Sequence, residues 1–407
     1  MKKRNSYPLD LSALAYPMMR SRRAESNFRF SATLTEEVDP VALLQSLEEV
    51  LPKYPNLKTK IVTSFFWHKL AENDAPLLVK EDDRPPLTPM RKEDTNRYPF
   101  RLAYKGSEIV LEVFHAVTDG NVCVLFLTDL LTRYVEIRKG LEHREIHRDL
   151  ALGDAFLKHA KKKSLFKFSL RNYNCKRALA LGKRGNYLEH PVLLCDEIPL
   201  SELKAAAKSH DVTITEYVSA CYITAVLEGE KLPLRKPIRL LLPVDLRRFF
   251  PSNTLQNFVC FERINLEKGE NDASFERVLS LLCEQFRSKI TREKMQEHVD
   301  DVKLCFTFPL VKYLPLFIKK PCFKLCKKIM DKVRQTAILS NVGTLPLPPE
   351  TASIVKAVKP FPNISKNTPL NIAVLSCGDL CQVSLTCGLK NSAIPERFFE
   401  LLRQGKK

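Results

Sequence analysis

Residues 107–120, SEIVLEVFHAVTDG, decide the fold. The run from Ser107 to Phe114 alternates in apolar and β-branched residues and predicts a strand. It ends at His115, and Asp119-Gly120 then opens VCVLFLTDLLTRYVEIRK (122–139), whose periodicity predicts a long helix stopped by Gly140. A histidine between a strand end and a helix start places one imidazole at a sheet edge, facing whatever cleft lies beyond it. Imidazole is the side chain whose ordinary pKa lies nearest neutrality, so such a residue can exchange a proton with a bound molecule. Asp119, four residues on, is placed to brace the turn through backbone amides or an arginine. Gly120 is expected to permit a conformation that a side chain would obstruct.

Working outward, Asp39-Pro40 supplies an N-cap and a first helical residue for VALLQSLEEVL (41–51). LKTKIVTSFFWHKL (57–70) predicts strand, and EDDRPPLTPM (81–90) a Pro-rich connection. Beyond Gly140 a basic stretch interrupted by Gly182 and Gly185 has no long period and is expected to be a crossover. A second cycle follows, with strand over 188–198, helices over 201–210 and 215–229, and strands at IRLLLPVDLR (238–247) and NFVCFERINL (257–266). A helix over 274–298, a Pro-punctuated basic segment over 304–334, three strands between 337 and 389 and a last helix after Ser392 complete the chain. Strands and helices mix without regular βαβ alternation, which predicts an α+β fold of two similar lobes. The expected division is 1–155, a crossover at 156–190, and 191–407.

The chain has 407 residues, 44% hydrophobic, with a formal charge of +18. That charge is local. Residues 156–190 carry net +9 and residues 303–334 net +8, so the rest is nearly neutral. Two such patches suit a phosphate-bearing ligand, an acidic partner or an anionic membrane surface. No zinc spacing, RNP motif or basic heptad run accompanies them, which argues against nucleic acid. The 12 cysteines include no CxxC pair, and several fall in apolar runs as reduced thiols would, so no metal site or disulfide framework is expected and a reducing cytoplasm is the expected location. The basic start has no uninterrupted apolar core for a signal peptide, and Leu304–Ile318 is too short and too broken by Pro309, Lys312 and Pro315 to span a bilayer. Phosphate-loop, dinucleotide and nucleophile-elbow motifs are missing. The other seven histidines sit where surface or packing roles suffice.

The HxxxDG pattern at His115, Asp119 and Gly120 resembles the signature of the CoA-dependent acyltransferase superfamily built on the chloramphenicol acetyltransferase fold. The likeness is nearest to bacterial alcohol acetyltransferase-like and condensation-domain-like proteins. It extends to YPLDLSALAYPMM (7–19), VDPVALLQSLEEVLPKYPNL (38–57), LLPVDLRRFFPSNTLQNF (241–258) and ILSNVGTLPLP (338–348). The resemblance implies two related lobes around a tunnel, with an acyl thioester and an acceptor entering from opposite sides. It implies His115 as general base for direct transfer of an acyl group, acetyl being the simplest case, from CoA to an alcohol, with no permanently bound cofactor. It implies Asp119 as a structural residue paired to Arg247, and Asn341 and Gly343 of SNVG near the substrate. Phe114, where condensation domains usually carry a second histidine, and the missing DFGWG motif set the chain apart from those domains and from the plant members. Two alternatives stay open: a phosphopantetheine-bearing acyl carrier protein as donor, and a non-catalytic condensation-like binding protein whose basic segment contacts anionic membrane.

Overall fold

The computed structural model describes residues 5–21, 25–163, 177–182, 185–330 and 335–404, with side chains described throughout except at 326–330. The first half builds most of a five-stranded sheet: β2 (Asn27–Leu34), β5 (Val79–Glu81), β6 (Phe100–Lys105) and β7 (Glu108–Phe114). A smaller sheet of β1 (Ser6–Pro8), β3 (Thr59–Thr63) and β4 (His68–Glu72) lies alongside, in the order β1-β4-β3. The expected single strand over 57–70 is thus two strands, because Ser64 to Trp67 turn back on themselves through a Ser64 N–H to Trp67 carbonyl bond of 3.1 Å.

The second half builds a six-stranded sheet. Its strands are β8 (Tyr187–Pro199), β9 (Ile238–Asp245), β10 (Val259–Leu266), β11 (Ala337–Leu345), β13 (Leu370–Cys377) and β14 (Leu380–Leu389), ordered β10-β9-β11-β13-β14-β8. The two larger sheets each pack on a buried apolar cluster, one centred on the helix Gly120–Lys139 and the other on the helix Ile214–Glu228, and the small sheet shares the first. Two cores of this kind make two lobes, and the class is α+β as the sequence predicts. The second-half strand β12 (Val355–Pro362) crosses over and pairs antiparallel with β2, so the five-stranded sheet runs β12-β2-β7-β6-β5. A division by chain position alone therefore misplaces residues 355–362, whose ladder hydrogen bonds are satisfied in the first lobe.

Two local features position the site. Asp119 caps the helix Gly120–Lys139 by accepting from the Val122 amide at 3.2 Å, and Gly140 ends it with a left-handed φ of 61°. In the second lobe β9 and β11 pair in parallel only at Ala337 with Leu240 and Ile338 with Leu241, then separate. Pro243 has no N–H to continue that ladder, and β11 bulges between Asn341 and Gly343. The gap between the two strands opens one wall of a cavity.

Strand β7 is held on its other face by a buried charge network. Arg29 and Arg101 both bind Asp82, at 2.8 and 2.6 Å, and both reach Glu112, at 3.5 and 3.3 Å. Burial opposes the charge on Asp82, but the two guanidiniums prevail and hold its carboxyl below the ordinary range. Glu112→Gln leaves two arginines facing one carboxylate in the interior. We expect it to lower unfolding stability by about 3 kcal/mol, read as a fall in the urea midpoint; an unchanged midpoint would mean that the network does not hold the strand.

Candidate active site

His115 follows the last residue of β7, and its amide donates to the Ser26 carbonyl at 2.8 Å, which carries the edge of the sheet one residue beyond the strand. Its ring stacks on Tyr16, with centroids 5.2 Å apart and planes 15° apart, and meets the edge of Phe28 at 5.1 Å. The imidazole lines a cavity of about 370 Å³ between the sheets. Leu241, Pro243, Val259, Phe261, Ile338 and Ala373 form its wall on the second lobe; Tyr16, Phe28 and Phe361 face them from the first sheet's side. These apolar side chains share the lining with polar and charged ones, among them Glu25, Arg29, Asp245, Ser340 and Asn363.

The tautomer of His115 follows from its partners. Nδ1 lies 2.9 Å from Oδ1 of Asn257. The backbone N–H and the Nδ2 of Asn257 both donate to Oδ2 of Asp10, each at 3.1 Å, which turns the amide so that its oxygen faces the imidazole. An amide oxygen can only accept, so Nδ1 carries the hydrogen and the lone pair resides on Nε2. Burial pushes the imidazole pKa below 6.5, against the opposing pull of the backbone of His115 itself, the Asp119 charge, the Asn257 oxygen and the Thr118 backbone. The ring is therefore neutral near pH 7. Asp10 is fully buried, and burial raises its carboxyl to about 7, although Ser12, Ala13 and Asn257 all donate to it.

Asp119 and Arg247 meet as the resemblance implies. Nη1 of Arg247 is 2.8 Å from Oδ2 of Asp119, and that oxygen also accepts from the Phe258 amide at 3.0 Å. Nη2 of Arg247 binds the carbonyls of Thr254 and Gln256 at 3.0 and 2.9 Å, and Nη1 also reaches Asp245 at 3.2 Å. One guanidinium thus ties the turn after β7 to the loop between β9 and β10, the loop that delivers Asn257 to His115. Thr118 and Asn56 add bonds across the same junction to the Leu255 carbonyl, at 3.1 and 3.0 Å.

Two expectations need correction. Gly120 is not in the left-handed region. A Cβ there would meet a methyl of Val342 on β11 at 3.4 Å, an ordinary contact distance, so neither the backbone angle nor the packing demands a glycine at this position. Asn341 lines the cavity, whereas Gly343 does not; Gly343 takes the positive φ of 90° that the β11 bulge requires, and its amide donates to Oδ1 of Asn341 at 3.0 Å. Nδ2 of Asn341 donates to Thr215 at 2.9 Å, which ties β11 to the start of the helix Ile214–Glu228. Asp10, Tyr16 and Asn257 are functional neighbours that residue patterns alone did not single out. Asp10 and Asn257 lie in YPLDLS and TLQNF, but their link spans 247 positions, and nothing local marks it.

Among the described residues no group of three or more histidine, cysteine, aspartate or glutamate side chains is placed to hold a metal ion. No helix described is long and apolar enough to cross a membrane.

No protein-family model matches the sequence, and no curated protein does. Solved structures do match in fold. Polyketide synthase associated protein 5 from Mycobacterium tuberculosis superposes with a TM-score of 0.64 at 16% identity, covering 97% of each chain. TRI3 trichothecene 15-O-acetyltransferase from Fusarium sporotrichioides gives 0.68 at 12% identity, over 99% of this chain and 95% of its own. The first condensation domain of the calcium-dependent antibiotic synthetase, in complex with a substrate analogue, gives 0.65 at 14% identity, over 99% and 97%. The chain has their two-lobe fold. The superpositions run almost end to end, so both lobes and the cleft between them belong to the shared architecture.

Removing the guanidinium leaves Asp119, 1% exposed, with backbone amides alone. We expect Arg247→Ala to cost roughly 3 kcal/mol of stability, measured by chemical denaturation. Arg247→Lys keeps the charge but cannot span Asp119 and the two carbonyls together, so it should recover less than half of that loss. Full recovery by lysine would show that charge alone, not the forked geometry, closes the junction.

Proposed function

We propose that the protein transfers an acyl group from a CoA thioester to the hydroxyl of an alcohol by direct attack, with His115 as general base. The observation that carries this reading is the neutral imidazole in the inter-lobe cavity, its Nδ1 hydrogen committed to Asn257 and its Nε2 lone pair left over. The acceptor O–H donates to Nε2, and as its proton moves to the ring the oxygen attacks the thioester carbonyl carbon. The tetrahedral oxyanion then collapses, the C–S bond breaks, and the departing sulfur recovers the proton from Nε2 as free CoA thiol. No serine or cysteine nucleophile enters; Cys123, the thiol in the helix behind the motif, is buried and pushed far above the range in which a thiolate forms. Asp119 and Arg247 position the turn, and Asn257 with Asp10 positions the ring. The apolar wall suits a short or medium acyl chain, acetyl being the simplest, and an alkyl alcohol. The acetyltransferase among the fold neighbours supports this choice of chemistry. The condensation domains among them support a second donor, the phosphopantetheine arm of an acyl carrier protein, which presents the same thioester.

Thiol release from acetyl-CoA with a panel of alcohols tests the base. His115→Ala should reduce kcat by about 10²-fold or more, and equal rates on a substrate the native protein turns over would overturn the assignment. The acid limb has a fixed sign. Because the folded pKa of His115 is depressed below 6.5, Nε2 keeps its lone pair at pH 6.5 and loses it only at lower pH, so kcat/KM should fall below, not above, that value. Asn257→Ala releases the tautomer and should cut kcat about tenfold with little change in KM for the donor. A change in KM alone would assign Asn257 to binding instead.

A further inference from the structure

Outside the cavity, the most conspicuous surface joins the β3–β4 turn to the helices Pro309–Tyr313 and Leu316–Met330. Phe65, Phe66, Leu310, Tyr313, Phe317 and Leu325 are all exposed there, five of them by about 60% or more. The turn and the two helices are joined directly. Phe65 packs edge-on against Phe66 and Phe66 against Tyr313, and the Leu316 amide donates to the Phe65 carbonyl at 2.8 Å. Lys312 and Lys324 are exposed among them, Lys320 is half-buried, and neither 57–71 nor 302–330 contains a single aspartate or glutamate.

A buried amine fixes this arrangement. Lys319 is 1% exposed, with Nζ 3.3 Å from the centre of the Trp67 ring, 2.9 Å from the Phe66 carbonyl and 3.1 Å from the Lys312 carbonyl. It clamps the turn and both helices to one another, so the aromatic groups are held outward on a rigid base. An exposed apolar patch of this size disfavours the free state in water, and uncompensated lysines beside it add attraction for negative charge. The helix Leu316–Met330 also packs against the short helix Tyr16–Met19, whose Tyr16 stacks on His115.

We propose that this face docks on the surface of an anionic lipid bilayer, with the phenylalanines, the tyrosine and the leucines in the interface and the lysines at the phosphates. The chemistry of the patch matches both layers of such a surface: aromatic and aliphatic groups partition into the headgroup boundary, and lysine stems reach back to the phosphate plane. An acidic protein would satisfy the lysines but not six exposed apolar side chains around them. Docking would place the helix pair that backs His115 next to a reservoir of apolar molecules, a property separate from the acyl-transfer reading and testable without it.

Trp67, the sole tryptophan, lies under this surface and serves as a native probe. The full chain is titrated with phosphatidylcholine vesicles, with and without phosphatidylglycerol, and binding is read by co-sedimentation and Trp67 fluorescence. Binding should be about tenfold or more tighter with phosphatidylglycerol and should weaken with salt. A Phe65→Ser, Phe317→Ser double variant should lose about tenfold in affinity, and so should a Lys312→Glu, Lys324→Glu variant, with circular dichroism and melting unchanged. Both pairs are exposed, so the fold tolerates them. Equal affinity for the two vesicle types, no binding to either, or full binding by the double phenylalanine variant would overturn the proposal. So would salt-sensitive binding to acyl carrier protein that the phenylalanine variant retains while vesicles are ignored.

Discussion

The ion pair between Asp119 and Arg247 is the constraint on which the site depends. One carboxylate caps the helix after the histidine, takes the Phe258 amide and accepts the arginine, so three chain segments converge on two oxygen atoms. In the interior each of these charges would be costly alone, and together they are tolerable because nearly every lone pair and hydrogen has a partner. Their geometry fixes the distance between the turn after β7 and the β9–β10 loop. Everything His115 does follows from that distance, because the loop brings Asn257 to its Nδ1.

The second link is the line from Asp10 through Asn257 to the imidazole. An asparagine amide can face a histidine with either end, and here the buried carboxylate decides which. Burial lowers the imidazole's affinity for a proton while the amide oxygen commits Nδ1, and the two effects act on different nitrogens. Their joint result is a neutral base with one free lone pair, reached without a carboxylate touching the ring. Opposite the base, the separation of β9 from β11 at Pro243 provides the room. A missing N–H in one strand and a bulge in its neighbour thus open a gap inside the second sheet that becomes a cavity wall.

Much of this was legible in the chain. The strand-turn-helix at 107–120 placed His115 at a sheet edge from periodicity alone, and the family resemblance pointed from Asp119 to Arg247. Elements with strong local signals, such as the capped helix from Gly120 to Gly140, appear where expected. What stayed hidden is long-range. The crossing of β12 into the first sheet depends on pairing with β2, a partner more than 300 positions away that no local pattern records. Asp10 and Asn257 are ordinary residue types in ordinary contexts, and only folding brings them into register with His115. Gly120 stands out in the motif as a glycine, yet its φ is not left-handed and a Cβ there would make only an ordinary contact with Val342.

The most direct measurement of the central claim is the ¹⁵N NMR titration of the His115 ring, assigned by difference against His115→Gln. The account predicts a neutral imidazole at pH 7 with its hydrogen on Nδ1, a pKa below 6.5, and an Nε2 resonance typical of a free lone pair. A ring that is protonated at pH 7, or neutral with its hydrogen on Nε2, would contradict it.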